Sequence, residues 1–228
     1  MNKRQEKILA LVIESYVETA EPVGSKFLVD AGRLEWSEAT VRNELRALEE
    51  AGFLTHPHTS AGRIPTEKGY RYYIKRLALD KAQLNAGNRT SLKRAFNAAD
   101  DFEMACKNVA KLAAELSGES VIVSFGMNNI YQTGLSNLIS KPEFGGEEAI
   151  NIFKMFDQCE EYLNDFMEEI SVEPRFFIGS EQPFGQSVSL AASLAGRDND
   201  ATFIVLSPNR TNYRRNFALL KTIREILG

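Results

Sequence analysis

Arg42, Asn43 and Arg46 place two guanidinium groups and a carboxamide on the outer face of a segment that reads as a helix. These groups can read nucleic-acid bases. An Arg fork matches guanine O6 and N7, an Asn amide matches adenine N6 and N7, and a good bidentate pair discriminates by about 1–3 kcal/mol. Ser37 and Thr40 stand at the positive start of the same segment, where hydroxyls suit phosphate oxygens. Further along, Thr59, Ser60, Gly62 and Arg63 offer two hydroxyls, an uncrowded backbone and a guanidinium. Lys68 and Arg71 continue the positive track. Together these residues form a candidate surface for double-stranded DNA.

Other chemistries find less support. His56 and His58 flank Pro57 with no Cys or acid close by in sequence, a poor metal site, so no metal and no cofactor are expected. No phosphate-cradling glycine motif and no Gly-x-Ser-x-Gly elbow occurs. Asp100, Asp101, Glu168 and Glu169 read as solvated helix faces, so no enzyme is expected. Cys106 and Cys159 fall in helical apolar patterns, which fits a reducing compartment. No apolar run approaches the roughly 20 residues of a membrane span, and the start lacks a secretion signal. A cytoplasmic protein without membrane contact is expected.

Charge is unevenly distributed over the 228 residues. Residues 1–77 carry 12 Lys and Arg against 11 Asp and Glu, whereas residues 78–228 carry 15 against 20. DNA binding needs basic groups on one face rather than a basic whole. Residues 63–76 hold Arg63, Lys68, Arg71, Lys75 and Arg76 against one acid, Glu67. Such a cluster is ordinarily a solvated face and gains meaning only from its neighbours.

The elements that must hold these groups are legible from periodicity. Residues 4–19 read as a helix with Ile8, Leu9, Val12, Tyr16 and Val17 on one face. Ser25 can cap a short helix over 26–31, and Ser37 a third helix running to about 51, ended by Gly52. Val41, Leu45 and Leu48 give that third helix its apolar side. Two short strands at 53–56 and 63–65 flank turn material, and Thr66 can cap a helix over 67–77. This order, three helices, a hairpin and a helix, matches a winged helix-turn-helix domain over residues 1–77, its third helix suited to the major groove. Residues 78–90 read as a linker. Residues 91–228 alternate helical patterns (91–116, 147–170, 211–227) with strands (120–125, 175–178, 187–194, 201–206), a mixed domain around a three- or four-stranded sheet; 126–144 has no clear pattern. The expected class is α+β.

Specific runs then carry a resemblance. Glu21-Pro22-Val23-Gly24-Ser25, Ser37-Glu38-Ala39-Thr40-Val41-Arg42-Asn43-Glu44 and Leu48-Glu49-Glu50-Ala51-Gly52-Phe53-Leu54 are similar to segments of the bacterial heat-inducible transcription repressor family HrcA. The most specific run is His56-Pro57-His58-Thr59-Ser60-Ala61-Gly62-Arg63-Ile64-Pro65-Thr66, followed by Lys68-Gly69-Tyr70-Arg71. Asn137-Leu138, Lys141-Pro142-Glu143-Phe144, Phe177-Ile178-Gly179-Ser180-Glu181 and Leu206-Ser207-Pro208-Asn209-Arg210-Thr211-Asn212-Tyr213 resemble the same family less strongly. In it they belong to a GAF-like sensor or dimerisation domain. Between residues 116 and 137 this chain is much shorter than the family pattern, and an inserted dimerisation subdomain is missing.

The resemblance implies a repressor of chaperone genes that binds an inverted-repeat operator as a homodimer, loses affinity on heating and is restored by a chaperonin partner. Residues 91–116 and 147–170 are the candidate dimer helices, through Phe96, Phe102, Phe153, Phe156 and Phe166, although each of these could equally fill the domain's own core. A rival reading is a small-molecule-responsive regulator whose GAF-like pocket is lined by Phe125, Phe176 and Phe203. Another is a winged-helix domain used only for protein contacts.

Overall fold

The computed structural model describes residues 1–31, 34–57, 62–126 and 129–228. The chain divides into two compact units, Met1–Leu77 and Ala78–Gly228.

The first unit begins with α1 (Lys3–Thr19), opened by a capping box between Asn2 and Gln5 and closed at Ala20 in the left-handed conformation. Helices α2 (Ser25–Asp30) and α3 (Glu38–Glu50) follow. Ser25 does not cap α2, whose N-cap is Gly24; its hydroxyl instead donates to Glu38 at 3.2 Å, tying α2 to α3. Ser37 caps α3 through the Thr40 N–H, and Gly52 turns the chain out at φ +76°. Strands β1 (Leu54–Thr55) and β2 (Ile64–Pro65) pair antiparallel, and α4 (Glu67–Arg76) starts at Thr66, whose hydroxyl accepts from the Gly69 N–H at 3.1 Å. Ile8, Leu9, Val12, Leu28, Val41, Leu45, Leu48, Leu54 and Tyr70 form the buried centre. Burial of a full apolar side chain is worth about 1.5–3 kcal/mol, so Val41, Leu45 and Leu48 fix which face of α3 turns inward.

Among its described residues the second unit is built on five strands: β3 (Ser120–Ser124), β4 (Ile130–Thr133), β5 (Arg175–Ile178), β6 (Val188–Ala195) and β7 (Ala201–Pro208). Their order is β4-β3-β7-β6-β5, and all neighbours are antiparallel. Helices α5 (Ala86–Phe96), α6 (Phe102–Ser117) and α10 (Tyr213–Leu227) cover one face, over Val121, Val123, Phe203 and Val205. The other face, with Ile122, Phe177, Leu190 and Ile204, is covered by α7 (Leu135–Ile139), α8 (Glu147–Asp157) and α9 (Cys159–Phe166). A sheet covered on both sides buries its strands throughout rather than on alternate residues, as in β3 and β7, whose Ser120, Ser124, Thr202 and Ser207 are buried with the apolar residues.

Several expectations are corrected here. The sheet has five strands: β4 and α7 arise in the segment without clear pattern. The supposed linker contains a 3-10 turn, Leu79–Lys81, and the first turn of α5, and belongs to the second unit. The helix expected over 91–116 is two helices, because the Asp101 side chain accepts the Met104 N–H and starts α6 afresh. The helix over 147–170 breaks at Gln158 and ends in a 3-10 turn, Met167–Glu169.

Candidate nucleic-acid interface

Helix α3 carries the reading candidates on the face opposite its buried residues. Arg42, Asn43 and Arg46 are all exposed. Arg42 pairs with Glu38 one turn before it, yet its side chain keeps 71% of its surface open to solvent. Among the described residues, Asn43 and Arg46 make no side-chain hydrogen bond or ion pair. Ser37 and Thr40 sit together at the helix start, their hydroxyl oxygens 3.0 Å apart. The bond between them occupies one capping site while both hydroxyls stay at the surface, at the positive end of the helix dipole.

The remaining candidates have intramolecular duties. Arg63 is half-buried and its guanidinium meets Glu49 Oε2 at 2.7 Å. Its backbone pairs with Val23 through both hydrogen bonds, 2.8 and 2.9 Å, so the hairpin is stitched to the segment ahead of α2. Gly62 explains itself by the same contact. A Cβ there would fall 2.6 Å from the backbone carbons of Pro22 and Val23, so the close approach that demands glycine is internal. Lys68 donates to the carbonyl of Ala51 at 2.8 Å, capping the C-terminal end of α3, and lies 4.5 Å from the Phe53 ring centre. Arg71 pairs with Glu67. Thr59 and Ser60, with His58, lie outside the described residues.

Residues outside the basic and hydroxyl candidates hold this surface in place. Glu49 bonds both Arg63 and His56. Partial burial would raise its pKa, but the hydrogen bond from His56 and the Arg63 charge together outweigh that and hold it below the usual carboxylate value. His56 is thereby a clamp residue, and no group of three metal-ligating side chains occurs among the described residues. Gly69 has no room for a Cβ against the carbonyl oxygen of Phe53. Arg4 and Lys7 approach the face of Trp36, joining α1 to the chain entering α3. A signal for Glu49 existed only in hindsight, as an acid on α3 with two basic residues across the following hairpin.

In the second unit, Phe203 is fully buried, and Phe125 and Phe176 pack against the same core, Phe176 edge-on to Tyr213. Phe203 lies in the interior, while Phe125 and Phe176 are only partly buried. Phe156 and Phe166 are likewise buried, Phe166 packing edge-on to Phe177 with ring centres 4.7 Å apart. Phe96 and Phe102 pack on each other and are partly buried. Of the five aromatic candidates for a dimer face, Phe153 is the open one, 46% exposed beside Ile150 at 54%. Burial pushes the thiols of Cys106 and Cys159 up to about 12, which keeps both protonated and unreactive. No helix among the described residues is long and apolar enough to cross a membrane.

Comparison with known proteins gives the following. The family described as "HrcA protein C terminal domain" matches residues 77–216. A protein of Kocuria rhizophila named heat-inducible transcription repressor HrcA is 40% identical over 124 residues, which cover 54% of this chain and 36% of that protein. A protein of the same name from Roseiflexus castenholzii is 48% identical over 96 residues, 42% of this chain and 26% of its own length. The match thus spans about a third or less of these relatives. Among solved structures, one described as a hypothetical protein at 2.2 Å resolution superposes with a TM-score of 0.79 at 18% identity, covering 100% of this chain and 98% of that one. It is similar in fold.

Proposed function

The chain belongs to the HrcA family, and on that premise we propose that it is a transcription repressor that reads an inverted-repeat operator in the control region of heat-shock genes. The observation that carries the reading is the outer face of α3. It presents Arg42, Asn43 and Arg46 to solvent, two of them unpaired among the described residues, on a helix whose inner face is anchored by Val41, Leu45 and Leu48. Exposed donors on a rigid helix are what major-groove readout requires.

In this reading residues 1–77 act as a winged helix-turn-helix domain. Helix α3 enters the major groove, and Ser37 and Thr40 fix its start against a phosphate. The hairpin with Thr59, Ser60, Gly62 and Arg63 lies as the wing along the backbone, and Lys68 and Arg71 add positive charge behind it. Residues 78–228 act as the GAF-like dimerisation domain. An inverted repeat calls for a two-fold dimer, one recognition helix per half-site. The open apolar pair Ile150 and Phe153 on α8 is its candidate contact. Heating lowers the DNA-competent population because native stability is only about 5–15 kcal/mol and, for a dimer, depends on concentration. A chaperonin restores the folded form. The protein acts in the cytoplasm and needs no catalytic group.

The test is binding to an inverted-repeat duplex and to a scrambled one at several salt concentrations. The expected ratio is about a thousand or more, with a steep salt slope. Equal weak binding to both duplexes overturns the proposal. Sedimentation that finds only monomer at micromolar concentration, with and without operator, refutes the dimer.

A further inference from the structure

One carboxylate of the second unit is placed against ordinary practice. Glu119 lies between α6 and β3 and its side chain is 3% exposed. One oxygen accepts from the Thr211 hydroxyl at 3.0 Å. Two cations face it, Lys141 Nζ at 3.6 Å from Oε2 and Arg215 at 3.6 Å from Oε1, both beyond normal hydrogen-bond length. Among the described residues Oε2 has no hydrogen-bond partner, and neither do Arg215 Nε and Asn216 Oδ1. The next guanidinium along, Arg210, is taken by Glu143. A charge removed from water without full hydrogen bonding loses more in desolvation than distant ion pairs return.

The two sides of this cluster are not equally buried, and that fixes the sign of the effect. Lys141 is 27% exposed and Arg215 38%. Removing the carboxylate's charge leaves Lys141 and the exposed part of Arg215 with access to water, although Arg215 Nε stays buried, whereas removing a cation leaves the carboxylate buried with less compensation. We infer that Glu119 is a built-in destabilising charge that sets the temperature at which the second unit melts, and through it the temperature at which the repressor releases DNA. The last clause rests on the function proposed above; the first does not.

The cluster sits where a loosening spreads. Glu119 touches Thr211 and Arg215 at the junction of β7 and α10, and Lys141 in the segment after α7. The Asn137 amide of α7 donates to the Glu119 carbonyl at 3.1 Å and to the Ala114 carbonyl of α6 at 3.2 Å. One corner therefore joins elements that cover both faces of the sheet.

The experiment is a melting series on the full chain with Glu119→Gln, Lys141→Met and the double variant. Glu119→Gln keeps the shape and an acceptor for Thr211, and is expected to raise Tm by about 3 °C or more. Lys141→Met is expected to lower Tm, and to cost nothing once Glu119 is Gln. A fall in Tm for Glu119→Gln, or its failure to fold, overturns the inference, because the cluster would then be a net stabiliser. Equal losses for Lys141→Met in both backgrounds overturn it as well. Operator release followed against temperature in the same variants is expected to shift upward with Tm for Glu119→Gln. An upward Tm without that shift refutes the link to DNA release, and operator binding at no temperature refutes the function rather than the charge.

Discussion

Two stretches of the first unit carry similar basic groups and use them differently. On α3, Arg42 and Arg46 stand out from the surface, and Asn43 between them is also open. In residues 63–76, Arg63 is held by Glu49, Lys68 caps α3 and Arg71 is held by Glu67. Arg76 joins the group, 2.9 Å from Glu6 and 2.7 Å from the Tyr72 hydroxyl. Counting charges makes 63–76 the richer DNA surface. Tracing partners puts Arg63, Lys68 and Arg71 to internal use, whereas on α3 Asn43 and Arg46 have no partner among the described residues and Arg42 pairs with Glu38 while keeping most of its side chain open. A guanidinium with a well-placed internal acid must break or share that pair before it serves a phosphate.

This contrast predicts an order of effects. The largest belongs to α3. Replacing Arg42 and Arg46 together by Ala is expected to cut specific operator affinity by about 100-fold or more, from two contacts of about 1–3 kcal/mol each, with Tm unchanged. Gel-shift titration against a scrambled duplex reads this, and a uniform loss on both duplexes would move α3 into the scaffold class. Lys68→Met should do the reverse. Loss of the bond to Ala51 lowers Tm by a few degrees, roughly 1 kcal/mol, while the ratio of operator to scrambled binding holds. Thermal unfolding beside binding separates the two, and a changed ratio with constant Tm would place Lys68 among the readers.

The smaller tests use pH. The Glu49 pKa is lowered in the fold, so its contribution is present above the ordinary value of 4.5 and fades as pH falls through the lowered one. Acid melting of the first unit should therefore soften in Glu49→Gln; identical acid curves would mean the clamp contributes nothing. Glu119 has the opposite sign. Burial first of all raises its pKa, against the pull of Lys141, Thr211 and Arg215. Its protonated form suits the fold, so stability present below the ordinary value is lost as pH rises through the raised one. The Tm advantage of Glu119→Gln should be greatest above the raised pKa and shrink as pH falls toward the ordinary value of 4.5, and a constant advantage would assign it to packing.

Where the sequence was readable, the reason is local. Ser37, the apolar spacing of Val41, Leu45 and Leu48, and Gly52 define α3 within its own residues. The same holds for α4 from Thr66 onward. The break before α6 was also locally written, in Asp101 as a cap, but a continuous apolar spacing concealed it. Strand β4 was hidden because it is a four-residue edge strand, half-buried throughout, that takes its conformation from pairing with β3. At the candidate site, the exposed residues of α3 follow from periodicity alone. That Arg63 belongs to Glu49, or that Gly62 serves Pro22 and Val23, depends on contacts across the fold that no spacing rule contains.

The strand order of the second unit also bears on how the chain is made. The central strand β7 is the last of the five in sequence, pairing with β3 on one side and β6 on the other. On a ribosome, the β3–β4 and β5–β6 hairpins emerge first and have no partner to join them. Each waits with an unpaired apolar edge, the condition under which strands associate with the wrong chain. Only when residues 201–208 clear the exit tunnel can the halves be zipped into one sheet. Pairing of β7 is thus the step that hides the sticky edges, and a pause before it leaves an aggregation-prone nascent chain rather than a partly folded sheet.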